Sequence, residues 1–277
     1  MRLVTAGLRK LRRRTASLVA VIVASLLVGL EFALIGVSLN LPAGSTGGTE
    51  PALMRWLITF PGAYDAILAI VFAFGGLAAM IYVAAVAGTE WTWGTLKMAV
   101  MRGESRSRYT IATFCSLSLM LLAGVVITLL AGVLGAIAGA SIAGLPVRGL
   151  TDGAAIPHVI VSILRCWIAV TTLAAVGYAI AMATKSQMAG VGVVIGFFIG
   201  SVFAPIALPG VLHDIFKYLP FSIAGDAMDL FAPTATGQTA TSASIVAPNL
   251  ALAITVGWLV LSLAIAALAT ERAEIAG

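Results

Sequence analysis

Six long apolar runs, separated by short polar stretches, set the pattern of the chain: residues 16–39, 62–87, 111–143, 157–183, 188–208 and 249–270. None alternates with period two, so the short alternating segments of a membrane β-barrel are missing. All but the fifth run exceed what a helix needs to cross about 30 Å of hydrocarbon. Helices are the expected form, because backbone groups facing lipid must find partners within their own segment. The third run is long enough for about 50 Å, so it is expected to tilt, break or project from the bilayer. The pattern predicts an all-α integral membrane protein, a single domain of six transmembrane helices over residues 1–277.

Composition narrows the class. The chain is 277 residues long, 61% hydrophobic and only 10% charged. Soluble domains are about 25% charged, which excludes a soluble globular enzyme and a disordered chain. A net charge of +5 would suggest nucleic acid in a soluble protein. Placement of the charges gives another reading. Arg2, Arg9, Lys10, Arg12, Arg13, Arg14, Lys97, Arg102, Arg106, Arg108, Lys185 and Arg272 fall on one side of the predicted spans; only Arg55, Arg148 and Lys217 fall on the other. The excess puts both termini in the cytoplasm. It requires membrane lipid as a partner and no nucleic acid.

The basic start followed by an apolar run also suits a signal peptide, but the run exceeds the usual 7–15 residues. The first 12 residues have helical periodicity: Leu3, Val4, Gly7, Leu8 and Leu11 share one face. Two readings stay open for this short amphipathic helix. It lies in the inner interface with its arginines on anionic lipid, or it is a solvated positive flank. Cys115 and Cys166 fall at different depths, so they are expected to be buried free thiols.

The outer loops are 40–61, 144–156 and 209–248. The last is the largest, and its first half, from Val211 to Phe221, is expected at or in the membrane surface, with Tyr218 interfacial. The informative segment is the inner loop 88–108. It reads Glu90-Trp91-Thr92-Trp93-Gly94-Thr95-Leu96-Lys97, then Arg102-Gly103-Glu104-Ser105-Arg106. Trp93, Leu96 and Val100 recur at helical spacing, which predicts a short amphipathic helix. Glu90, Gly94-Thr95, Arg102-Gly103 and Ser105-Arg106 match in order and spacing the second-to-third span connection of type-2 ABC transporter permeases. The six-span layout, basic N-terminal helix and large last outer loop match as well, so the chain resembles that family over essentially its whole length.

The resemblance implies a role for this loop. Glu90, Trp93, Gly94, Thr95, Leu96, Arg102, Ser105 and Arg106 would form a coupling helix docking on a separate ATP-binding cassette subunit. That partner, and not this chain, would bind ATP and Mg. Two permease copies, or one copy and a related permease, would enclose an export path in the cell (plasma) membrane, of bacterial type. The residues agree on one point: the chain has no Gly-x4-Gly-Lys-Ser/Thr phosphate cradle, so it is expected not to hydrolyse ATP itself.

Other chemistry finds little support. His158 and His213 are the only histidines, no Cys/His cluster has ligand spacing, and no metal site is expected. Tyr64-Asp65 and Gly225-Asp226 are a poor match to an aspartyl protease pair. Asp65 is expected to be solvated near the outer surface. Glu31 and Arg165 fall at similar depth, and intramembrane charges are usually paired or face water. An ion pair between them is one expectation; separate snorkelling is the other. Gly192, Gly196 and Gly200 form a flat stripe on the fifth span, serving either packing within the chain or a dimer seam. Pro205 is expected to kink or end that span. An ATP-independent secondary transporter and a non-transport sensor or assembly protein remain the alternatives. Sparse charge points to lipids, lipophilic peptides or antibiotics as cargo.

Overall fold

The computed structural model describes residues 2–41, 51–92, 94–151, 153, 155–207, 217–233, 240–242 and 244–273. In chain order the helices are α1 (Arg2–Arg12), α2 (Thr15–Ser38), α3 (Pro51–Ile58), α4 (Gly62–Thr92), α5 (Thr95–Met101), α6 (Arg106–Ile142), α7 (Ala155–Thr184), α8 (Gln187–Ala207), α9 (Pro220–Ala227) and α10 (Pro248–Glu271). Between the last two, β1 (Phe231–Pro233) and β2 (Ala240–Ser242) pair antiparallel, with Ala232 opposite Thr241.

Five of these helices, α2, α4, α6, α7 and α10, are long and apolar enough to cross a membrane. α8 runs over 21 residues, and its stretch Gln187–Gly200 is apolar. The third expected span is one unbroken helix of 37 residues, about 55 Å long. It therefore does not break at its glycines. The second span also overruns its expected end: α4 continues to Thr92, so Glu90 belongs to the last turns of a helix rather than to a loop.

α4 and α7 pack against each other at the centre, and half of the most apolar window of each is buried against 11% for α2. α8 and α10 flank this pair, and α6 joins α10 on one side and α2 on the other. Leu68, Met80, Leu173 and Tyr178 are fully buried between these helices. α2 leans on α6 along a glycine seam. A Cβ on Gly36 would strike the Gly139 backbone, and one on Gly135 would strike the Gly29 carbonyl. Glycine lets the two backbones touch, and close backbone packing of this kind can hold helices together without a large apolar side chain between them.

α1 lies across the start of α6. Leu11 is buried and Leu3, Val4, Gly7 and Leu8 are half-buried, while Arg9, Lys10 and Arg12 are exposed. Its apolar face thus rests on protein, with the Ser116 hydroxyl donating to the Val4 carbonyl at 3.1 Å. Ser17 closes the corner into α2 by donating to the Leu11 and Arg14 carbonyls. At the opposite end, α9 tucks against α7 and α10. Asp226 holds it there by accepting from the Ile245 and Val246 amides. Residues 208–216, which include Val211, Leu212, His213, Ile215 and Phe216 of the expected surface segment, lie outside the described residues.

Candidate functional site

The ends of α1 and α4 and the starts of α5 and α6 meet at Glu90. Its carboxylate is 2% exposed, and one oxygen takes the Lys10 Nζ at 2.7 Å. The other oxygen accepts from the Tyr109 hydroxyl at 2.7 Å and from the Thr95 hydroxyl. Thr95 also approaches the Glu90 main-chain carbonyl at 3.2 Å. One buried side chain therefore ties four elements: α1 through Lys10, α4 through its own backbone, α5 through Thr95 and α6 through Tyr109. Such charge-assisted bonds are roughly twice as strong as neutral ones and hold a fixed geometry. A carboxylate buried without them would be costly.

The turn after Glu90 requires glycine. Gly94 has φ +63° and ψ +18°, a left-handed conformation that other residues adopt at a cost. Its amide donates to the Trp91 carbonyl and its carbonyl accepts from the Met98 amide, so the turn closes α4 and opens α5. Leu96 is 2% exposed and anchors α5 to the bundle. The other face of α5 stands out: Lys97 is exposed, and Met98 and Met101 are 50% and 68% exposed. Arg102 extends this face and Ser105 stands exposed immediately before α6. Arg106 turns away, donating to the Ala273 carbonyl at 2.6 Å and the Glu271 carbonyl at 3.2 Å. It thereby binds the C-terminal end of α10, where a cation is favoured by the helix dipole. The α7–α8 turn completes the convergence. Lys185 sits 5.4 Å over the Trp91 ring, and a Cβ at Gly88 would strike Gln187.

Of the residues that the sequence marks, Glu90, Gly94, Thr95 and Leu96 gather in this cluster, Arg102 and Ser105 stand exposed beside it, Arg106 turns to the end of α10, and Trp93 lies outside the described residues. Lys10 and Tyr109, the partners of Glu90, were not singled out. Only the basic run around Lys10 hinted at one of them. Met98 and Met101 carry no signal in the sequence, since methionine is ordinary in an apolar protein.

The expected Glu31–Arg165 pair does not form. Arg165 approaches Asp229 at 3.4 Å, donates to Asn249 Oδ1 at 3.1 Å and reaches the Ala227 carbonyl. It fastens the α9 segment to α7 and α10. Glu31 faces away, into a groove between α2, α4 and α6. Asp65 is not solvated either: its side chain is 7% exposed, bonds His158 Nε2 at 3.0 Å and accepts from the Phe231 amide at 3.4 Å. Gly192, Gly196 and Gly200 meet no described atom within 4 Å of a built Cβ, so this stripe is not used for packing among the described residues. Cys115 and Cys166 are both free thiols, and Cys166 is buried as expected but Cys115 is exposed. Among the described residues no group of three His, Cys, Asp or Glu side chains is placed to hold a metal.

Neither a scan against protein-family models nor a comparison with curated proteins finds a match to this chain. The structure establishes, among the described residues, five helices long and apolar enough to cross a membrane.

Proposed function

We propose that the chain is the transmembrane subunit of an ATP-driven exporter of the type-2 ABC class, with six crossings and both termini in the cytoplasm. α8 makes the sixth crossing in this reading, and the Glu90 end faces the cytoplasm because the basic residues collect there. The observation that carries the proposal is the buried Glu90, which joins the first helix, the end of α4, α5 and the start of α6. A push on the projecting face of α5 would not be absorbed by a loose loop. It would move those elements as one rigid body, the form in which force from an ATP-binding partner can reach a bundle.

Lys97, Met98, Met101 and Arg102 provide the docking face: flexible apolar thioethers rimmed by cations. The unpacked faces of α8 and α2 are where a second permease copy would sit. The chain supplies no phosphate cradle, so ATP and Mg belong to the partner subunit.

The test is site-directed cross-linking from Met98→Cys in native membranes. Capture of an ATP-binding subunit, together with ATP-dependent transport by the purified pair, is the expected result. Capture of no ATPase, with solute movement that follows an ion gradient and ignores ATP, would favour a secondary transporter.

A further inference from the structure

We propose that the groove between α2, α4 and α6 is a binding site for a lipophilic monovalent cation, with Glu31 as its counter-ion. The groove encloses about 910 Å³, within the range of sites for drug-sized molecules. Among the described residues Glu31 is the only charged one lining it. Among the described residues nothing forms a hydrogen bond or ion pair with its carboxylate. Three of the lining hydroxyls are already engaged: Ser17 donates to the Leu11 and Arg14 carbonyls, Ser38 to the Ile35 carbonyl, and Thr128 pairs with Ser25; the Tyr82 hydroxyl is buried without a hydrogen-bond partner among the described residues. The rest of the lining is almost wholly aliphatic or aromatic.

An ionised carboxylate left alone on an apolar wall is costly, and intramembrane charges normally have a partner. A ligand that brings one positive charge and a large apolar body satisfies both features of the groove. Phe74, 71% exposed, and Tyr82 add aromatic faces on which a cation is attracted. Other ligands fit worse. Calcium needs about six to eight oxygen ligands and zinc about four, mostly from Cys or His, whereas the groove presents a single carboxylate and neither Cys nor His among its lining residues. A small hydrophilic cation would lose its water against aliphatic walls. A neutral or anionic amphiphile would leave Glu31 unpaired.

As the cargo site of an exporter this assignment rests on the permease reading; as a binding site it does not, so it is tested without nucleotide or partner. Tritiated tetraphenylphosphonium is equilibrated with the purified full-length chain in dodecyl maltoside. Saturable binding at one site per chain is expected, displaced by dodecyltrimethylammonium and not by dodecanol. Glu31→Gln should weaken it about 10- to 100-fold, the loss of one charged partner, and Glu31→Asp should retain most of it. Absence of saturable binding, full binding by Glu31→Gln, or displacement by dodecanol as effective as by the cation would overturn the assignment. Those results would leave the coupling role of Glu90 untouched. Saturable binding by a chain that supports no ATP-dependent transport would count against the permease reading alone.

Discussion

Two glutamates on neighbouring parts of the bundle have opposite surroundings. Glu90, near the end of α4, is buried and held by Lys10, Thr95 and Tyr109. Glu31, on α2, is exposed to an apolar groove and has no partner among the described residues. The first is satisfied by its own chain and joins elements together. The second contributes nothing to joining anything. A charge that the fold satisfies is a structural fastening, and a charge that it leaves alone is available to something outside the chain. The comparison therefore separates the part of the molecule suited to transmit movement from the part suited to receive a ligand.

Removing the fastening should have the largest effect. Glu90→Ala deletes one ion pair and two hydroxyl bonds at a buried position. A loss of about 2–4 kcal/mol is expected, held below the fully buried case because Lys10 remains half in water. Thermal unfolding in detergent reads it, and ATP-dependent transport by the assembled pair should be lost even where the variant still inserts. Retention of both would dissolve the contrast between the two carboxylates.

The next largest effect belongs to the seam that carries Glu31. Gly36→Leu places a side chain where the Gly139 backbone lies, and overpacking of that kind costs about 1–3 kcal/mol. Because α2 would be pushed off α6, the groove should change shape along with stability. Gly196→Ala on α8, with open space around it, is the matched control and should leave monomer stability unchanged. A stability loss there in the assembled protein alone would identify that stripe as a contact between subunits.

Tyr109→Phe sharpens the Glu90 side. It removes one donor while Lys10 and Thr95 stay, so about 1 kcal/mol is expected in the same unfolding measurement. Glu31→Gln should have the smallest effect, within about 0.5 kcal/mol of the parent protein. There is no partner to lose among the described residues, and a charge is removed from an apolar setting. A drop of more than 1 kcal/mol would show that Glu31 does have a structural partner and would erase the difference between the two sites.

Much of this architecture is legible in the order of residues along the chain. The apolar runs at 16–39 and 249–270 became α2 and α10 to within a residue or so, because burial in lipid demands an unbroken stretch that no tertiary contact can substitute. Glu90 stood out as an acidic residue at the end of such a run. Its partners did not, since Lys10 is 80 positions away along the chain. Residue counting puts Glu31 and Arg165 at similar depth and offers a pair as one expectation, yet Arg165 turns to Asp229 and Asn249. Depth follows from counting residues, whereas the direction in which a side chain points depends on how each helix is rotated. The glycines show the same limit. Gly192, Gly196 and Gly200 have the spacing of a contact face, yet the seam formed at Gly29, Gly36, Gly135 and Gly139. Both stripes can approach a backbone closely, and only the position of the neighbouring helix selects one.

The sequence by itself determined the class of protein: helices of crossing length, a strongly basic set of ends, and no phosphate cradle. These properties depend on composition and order along the chain. Only the tertiary structure decided which charges are paired. It set Lys10 beside Glu90, Asp229 beside Arg165, and nothing described beside Glu31. The physical reason is that an ion pair requires about 3 Å of separation, and such proximity is set by helix rotation and packing rather than by hydropathy.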